Sequence, residues 1–119
     1  MIARNPEIVE AYLDKHAYII EFLETIRPTL TKFFGRSVNV ELEVLTYPDE
    51  SGTEELVGWI QYTGGDIERG LDLLEELEGE IFDKQIEMVG NSFNFNIEFS
   101  CNLLHLSKYL TIFLGMITY

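Results

Sequence analysis

Ser37-Val38-Asn39-Val40-Glu41-Leu42-Glu43-Val44-Leu45-Thr46 is the stretch whose reading decides the fold. Val38, Val40, Leu42 and Val44 alternate with Asn39, Glu41 and Glu43, and side chains leave opposite faces of a strand with that period of two. The pattern predicts a strand with one buried and one polar face. Tyr47-Pro48-Asp49-Glu50-Ser51-Gly52-Thr53 follows with the proline, aspartate and glycine of a loop, and a second strand is expected from Glu55 to Thr63. The pair reads as an antiparallel hairpin. In its second strand Leu56, Gly58, Ile60 and Tyr62 are assigned to the core, and Val57, Trp59 and Gln61 to the other side. A third strand announces itself after the turn signal Gly90-Asn91, where Phe93, Phe95, Ile97 and Phe99 alternate with Asn94, Asn96 and Glu98.

Helical patterns flank the hairpin. Asn5-Pro6-Glu7 reads as a cap, a proline at the first helical position and an acid in the first turn. Apolar residues from Ile8 to Ile26 then recur at steps of three and four. Pro28 predicts a break near Arg27 and a short second helix ending at Phe34, with Gly35 as its stop. After the hairpin, Gly64-Gly65-Asp66 caps a helix whose core side is read as Ile67, Leu71, Leu74, Leu77 and Ile81, with a bend or end at Gly79.

The order α, β, β, α, β defines an α+β domain. A helical crossover between the second and third strands makes them parallel with a right-handed connection. The expectation is a three-stranded mixed sheet of order 2-1-3, with helices on one face, over residues 1–100 of a single domain. Residues 101–119 differ in kind, holding no acid, one Lys108 and one His105 among many apolar residues. They read as a terminal helix or strand completing the core, as an oligomer contact, or as an interfacial anchor too short to span a bilayer.

Composition sets the outer limits. Among 119 residues, 21 acids stand against 8 basic residues for a net charge of −13, which repels nucleic-acid phosphate. Nucleic acid is therefore not expected as a partner, and the uncharged run from Tyr109 to Tyr119 is too short to expect a membrane span. The single Cys101 allows no intramolecular disulfide, and the beginning of the sequence lacks the apolar core of a signal peptide, so a reducing cytoplasm fits best.

Chemistry-bearing constellations are sparse. Cys101 and His105, four residues apart, are a formal thiolate–imidazole pair without a surrounding signature, and are read as inert. His16 is read as a hydrogen-bonded core or boundary residue. No metal-ligand spacing, cofactor motif or catalytic residue set is recognised. The acidic loop lacks a calcium-loop pattern, and Asp66 and Glu68 oppose an anion at the Gly64-Gly65 helix start.

Two arrays remain as candidate interaction surfaces. Glu68, Asp72, Glu76 and Glu80 recur every fourth residue, either as a solvated stripe or as a docking stripe for a basic partner. On the polar sheet face, Asn39, Glu41 and Glu43 join Trp59, Gln61, Asn94, Asn96 and Glu98. A tryptophan among polar groups is typical of interface hot spots, unless the apolar C-terminal segment covers it as ordinary core.

Tyr12-Leu13-Asp14-Lys15-His16, Phe33-Phe34-Gly35 before an alternating strand, and Phe95-Asn96-Ile97-Glu98-Phe99 resemble a group of small, acidic, uncharacterised bacterial proteins over residues 6–99. The resemblance implies no activity and carries no catalytic residues. Members of that group stop near the third strand, so residues 101–119 depart from it. The expected function is a non-enzymatic, self-associating protein-interaction domain. The alternative is an acidic, antitoxin-like inhibitor that masks a basic protein surface, and a small enzyme built on Cys101 and His105 comes third.

Overall fold

The computed structural model describes residues 1–47 and 52–99. Among the described residues, four strands and three helices follow one another in the order β1 (Ile2–Ala3), α1 (Pro6–Lys15), α2 (Tyr18–Phe34), β2 (Asn39–Tyr47), β3 (Thr53–Tyr62), α3 (Ile67–Met88) and β4 (Phe93–Phe99). The class is α+β. Its sheet is mixed and runs β1-β2-β3-β4, with β1 parallel to β2, β2 antiparallel to β3, and β3 parallel to β4.

This corrects the expected order. The hairpin and the parallel crossover form as the periodicity predicts, but β4 docks beside β3 and not beside β2. Gly58 explains part of this choice. It faces Phe95 in register, and a Cβ built on it would lie 2.9 Å from Phe93 Cζ and 3.1 Å from the Phe95 ring. A bare backbone at Gly58 is thus the seat for two aromatic rings of β4. The other edge of β2 is taken by β1, whose Ile2 and Ala3 pair with Glu41 and Leu42. Two residues at the start of the chain were too short a run to read as a strand.

All three helices pack on the same side of the sheet. Val9 and Tyr12 of α1, Phe22 and Ile26 of α2, and Leu77 and Ile81 of α3 close over Val40, Leu42, Leu56, Ile60, Phe93, Phe95 and Ile97 in one core. The two alternating faces are therefore sorted as their periods require. Leu56, Ile60 and Phe93 are fully buried.

Helix boundaries differ from expectation at two places. The first break falls at His16 and Ala17, not near Arg27, and α2 runs through Pro28. His16 Nδ1 lies 2.9 Å from the Tyr12 carbonyl oxygen, and its ring stacks on Tyr12 at 4.1 Å, so the side chain occupies the carbonyl that would continue α1. Pro28 sits on the exposed side of α2 while Ile19, Phe22, Ile26 and Leu30 pin both halves to the core. At an exposed position water can satisfy the carbonyl that a proline leaves without its amide partner.

In α3 the contact side is Gly70, Leu73, Leu74, Leu77 and Ile81, whereas Ile67 and Leu71 stand out in solvent at 42% and 48% exposure. Gly70 takes the core position because Tyr62 and Phe99 press on it; a Cβ there would lie 2.6 Å from Phe99 Cε1. The helix does not end at Gly79 but continues to Met88. Its start is as expected, with Asp66 accepting a hydrogen bond from the Arg69 amide at 3.2 Å.

Candidate functional site

Strand register builds the polar face in rows. Asn39, Gln61 and Glu98 lie side by side across β2, β3 and β4, then Glu41, Trp59 and Asn96, then Glu43, Val57 and Asn94. The sheet-face residues singled out from the sequence are thus brought together. Trp59 lies on an inner strand at their centre, where the expected order would have put it at an edge.

Hydrogen bonds hold the rows in place. Trp59 donates its indole N–H to Glu43 Oε1 at 2.9 Å, and Gln61 donates to Glu98 Oε1 at 2.8 Å and to the Trp59 carbonyl at 3.1 Å. At the β4 end, Gln85 of α3 donates to Asn94 Oδ1 at 2.9 Å, and Asn94 donates to Glu55 Oε2 at 2.8 Å. Asn96 instead accepts from the Ile97 amide at 2.8 Å. Val57 is 4% exposed beneath this layer, an apolar side chain buried on the polar face.

Sequence reasoning missed the residue that ties the face together. Arg4 follows β1, fixed by its amide hydrogen bond to the Leu42 carbonyl at 2.8 Å. Its guanidinium donates to Glu41 at 2.8 Å and to Glu98, lies 3.7 Å from Glu43, and passes over the Trp59 ring with Cζ 5.8 Å from the centroid. One cation thereby bridges carboxylates from β2 and β4 across the tryptophan of β3. The available signal was that Arg4 is the first basic residue and the only one before Lys15. Nothing in local periodicity says which face such a residue reaches.

Electrostatics follow from this geometry. The hydrogen bond to Glu98 is the largest influence on Arg4 and, with Glu41, outweighs burial and raises its pKa. For Glu98, burial pushes upward most strongly. Hydrogen bonds from Arg4 and Gln61, together with the charge of Arg4, still bring its pKa below the ordinary carboxylate value. Side-chain exposures of 27% for Arg4, 29% for Glu41, 31% for Glu43 and 37% for Glu98 leave the group half in water. Glu41, Glu43 and Glu98 against Arg4 leave this set of four with a net negative charge.

The acidic row of α3 is a different kind of surface. Glu68, Asp72, Glu76 and Glu80 are all exposed. A four-residue step advances roughly 40° beyond a full turn, so the row winds around the helix. By Glu80 it has reached the α2 side, where Lys32 Nζ lies 3.2 Å from both carboxylate oxygens. The four acids do not form one plane.

Cys101 and His105 lie outside the described residues. His16 is hydrogen-bonded at the α1 boundary, as its place in the sequence suggested. Among the described residues, no group of three or more His, Cys, Asp and Glu is arranged to hold a metal ion, and no helix is long and apolar enough to cross a membrane.

Among the described residues, the fold and site define an α+β domain with three helices on one side of a mixed sheet and an ordered polar–aromatic surface on the other. No protein-family model, curated protein or solved structure matches the chain.

Proposed function

We propose that this chain is a non-enzymatic protein-interaction domain whose docking surface is the open sheet face around Trp59, and whose partner presents arginine or lysine side chains. The supporting observation is the network in which Arg4 and Trp59 hold Glu41, Glu43 and Glu98 in fixed positions. Carboxylates already ordered lose little side-chain entropy on binding, and the indole adds aromatic contact area beside them. Self-association through this face would set the same carboxylates against their own copies. A different, basic protein is the better complement.

Trp59 is the only tryptophan, so its fluorescence reads the face directly. In a titration with an arginine-rich octapeptide, Trp59 emission shifts and the affinity falls as salt rises. The double variant Glu43→Gln/Glu98→Gln weakens binding about tenfold or more, a loss on the scale of one desolvated charge contact. A control with the same change in net charge, Glu68→Gln/Asp72→Asn, weakens it less than about twofold, as screened charges remote from the site do. Equal losses in the two variants, or unchanged Trp59 emission, would reduce the binding to general acidity and sink the proposal.

A further inference from the structure

Acid dominates this chain, yet a cavity between the second half of α2 and the beginning of β2 is basic. Arg27, Leu30, Thr31, Arg36, Val38 and Val40 line it, and its volume is about 190 Å³. Among the described residues no acid lines it, in a sequence with 21 acids. The cleft beside Phe82 and Asn94, by contrast, includes Glu78. Leu30 and Val40, each 2% exposed, belong to the core and give the cavity a dry floor, while Arg27 and Arg36 are exposed at its rim.

Local structure gathers this set. The Gly35 amide donates to the Thr31 carbonyl at 2.8 Å and the Val38 amide to the Gly35 carbonyl at 3.3 Å, so the chain turns tightly after α2 and returns Arg36 and Val38 toward Leu30 and Thr31. Alternation along β2 then turns Val40 to the helix side and Glu41 and Glu43 to the other face. Neither guanidinium is engaged. Arg4 and Lys32 each meet carboxylates, whereas Arg27 and Arg36 form no ion pair or side-chain hydrogen bond with any described residue, although Glu24 stands one turn before Arg27 on α2. The helix dipole does not account for Arg27, which lies about two turns before Phe34, because that effect fades within the last turn. Two cations lining one hollow repel each other until an anion joins them.

We infer that this cavity binds a small phosphate monoester, with its headgroup held by Arg27 and Arg36 and its short apolar stem laid on Leu30, Val38 and Val40. A phosphate monoester carries about −1.5 to −2 charges near neutral pH and three strong acceptor oxygens. Two guanidinium forks and the Thr31 hydroxyl match that headgroup in charge and in donors. A monocarboxylate fills one fork with its two oxygens and leaves the second cation without a partner. Size narrows the class further. Sites for cofactors and drug-sized ligands hold roughly 300–1,000 Å³, so this smaller cavity suits a stem of a few carbons and excludes a nucleotide.

The test is a titration of the full chain with butyl phosphate, followed through the methyl resonances of Leu30, Val38 and Val40. Saturable shifts at these methyls are expected, and Arg27→Gln/Arg36→Gln weakens binding about tenfold or more, as the loss of charge-assisted hydrogen bonds implies. Arg27→Lys/Arg36→Lys keeps the charge, loses the forks and also weakens it. Arg69→Gln/Lys84→Gln, which makes the same change in net charge on α3, alters the affinity less than about twofold. Inorganic phosphate, without the stem, and butanoate, without the second charge, both bind more weakly than butyl phosphate. Butanoate binding as tightly would make this a carboxylate site, inorganic phosphate binding as tightly would leave the apolar floor without a role, and equal losses in the two glutamine variants would reduce the effect to general charge. Each of these results, like an absence of saturable shifts, overturns the inference. The cavity and Trp59 lie on opposite faces of the sheet, so Trp59 emission stays unchanged with butyl phosphate and neither proposal depends on the other.

Discussion

The two faces of the sheet are made by the same three long strands yet hold together by different physics. On the helix side, Phe22 packs on Phe93 with centroids 5.9 Å apart, and Phe93 meets Phe95 edge-on at 4.9 Å, all in a region closed to water. On the open side the contacts are hydrogen bonds and ion pairs between groups that keep a quarter or more of their side-chain surface wet. Burial of apolar area scales with what is removed from water, whereas exposed ion pairs return little net energy. Stability should therefore reside on one face and the proposed binding on the other.

The strongest way to break that division is Phe93→Ala. Phe93 is fully buried, and truncating a core phenylalanine leaves a cavity worth about 3–5 kcal/mol. Urea denaturation followed by circular dichroism should show a loss of that size, and a loss below about 1 kcal/mol would mean the core is not where the rings meet.

A smaller effect is expected at Gly58, which touches both descriptions because it lies next to Trp59 but points to the dry side. Gly58→Ala places a methyl 2.9 Å from Phe93 Cζ and should destabilise by about 1–3 kcal/mol through overpacking. The same measurement checks it. A stabilised variant would show that β4 can move away from β3 without penalty.

The smallest effect belongs to the wet face and to pH. The folded pKa of Glu98 lies below its unfolded value, so its contribution is complete above the ordinary carboxylate range and is lost as pH falls through the folded pKa. With more than a third of the side chain exposed, the contribution should stay under about 1 kcal/mol. Comparing the wild type with Glu98→Gln across the acid limb should show this difference shrinking toward low pH. A difference that grew toward low pH would reverse the assignment.

Much of the polar face was legible because alternation is a local property. Glu41, Glu43, Trp59, Gln61, Asn94, Asn96 and Glu98 share a face whichever strand lies in the middle, so their grouping survived an error in strand order. That error came from a choice made at long range. Whether β4 sits beside β2 or β3 depends on the fit of Phe93 and Phe95 over Gly58 and on β1 occupying the edge of β2, and neither is written in a periodicity. Arg4 escaped for the same reason, since a single charge near the start of the chain has no pattern to belong to. Pro28 misled because its effect depends on which side of the helix it faces, and His16, which does end α1, acts through its ring and not through a low helix propensity. Ile67 and Leu71 matched the helical period but lost the core side to Gly70, a residue that no hydrophobicity pattern would select.

The position of Arg4 carries a consequence for handling and for control of this molecule. The residue follows a two-residue strand paired with β2, and Ala3 of that strand packs against the hydrophobic core. Removing residues 1–4 would take away the guanidinium that balances Glu41, Glu43 and Glu98 together with the contact that Ala3 makes with the core. The charge balance of the proposed docking face thus rests on a residue supplied from outside its three long strands.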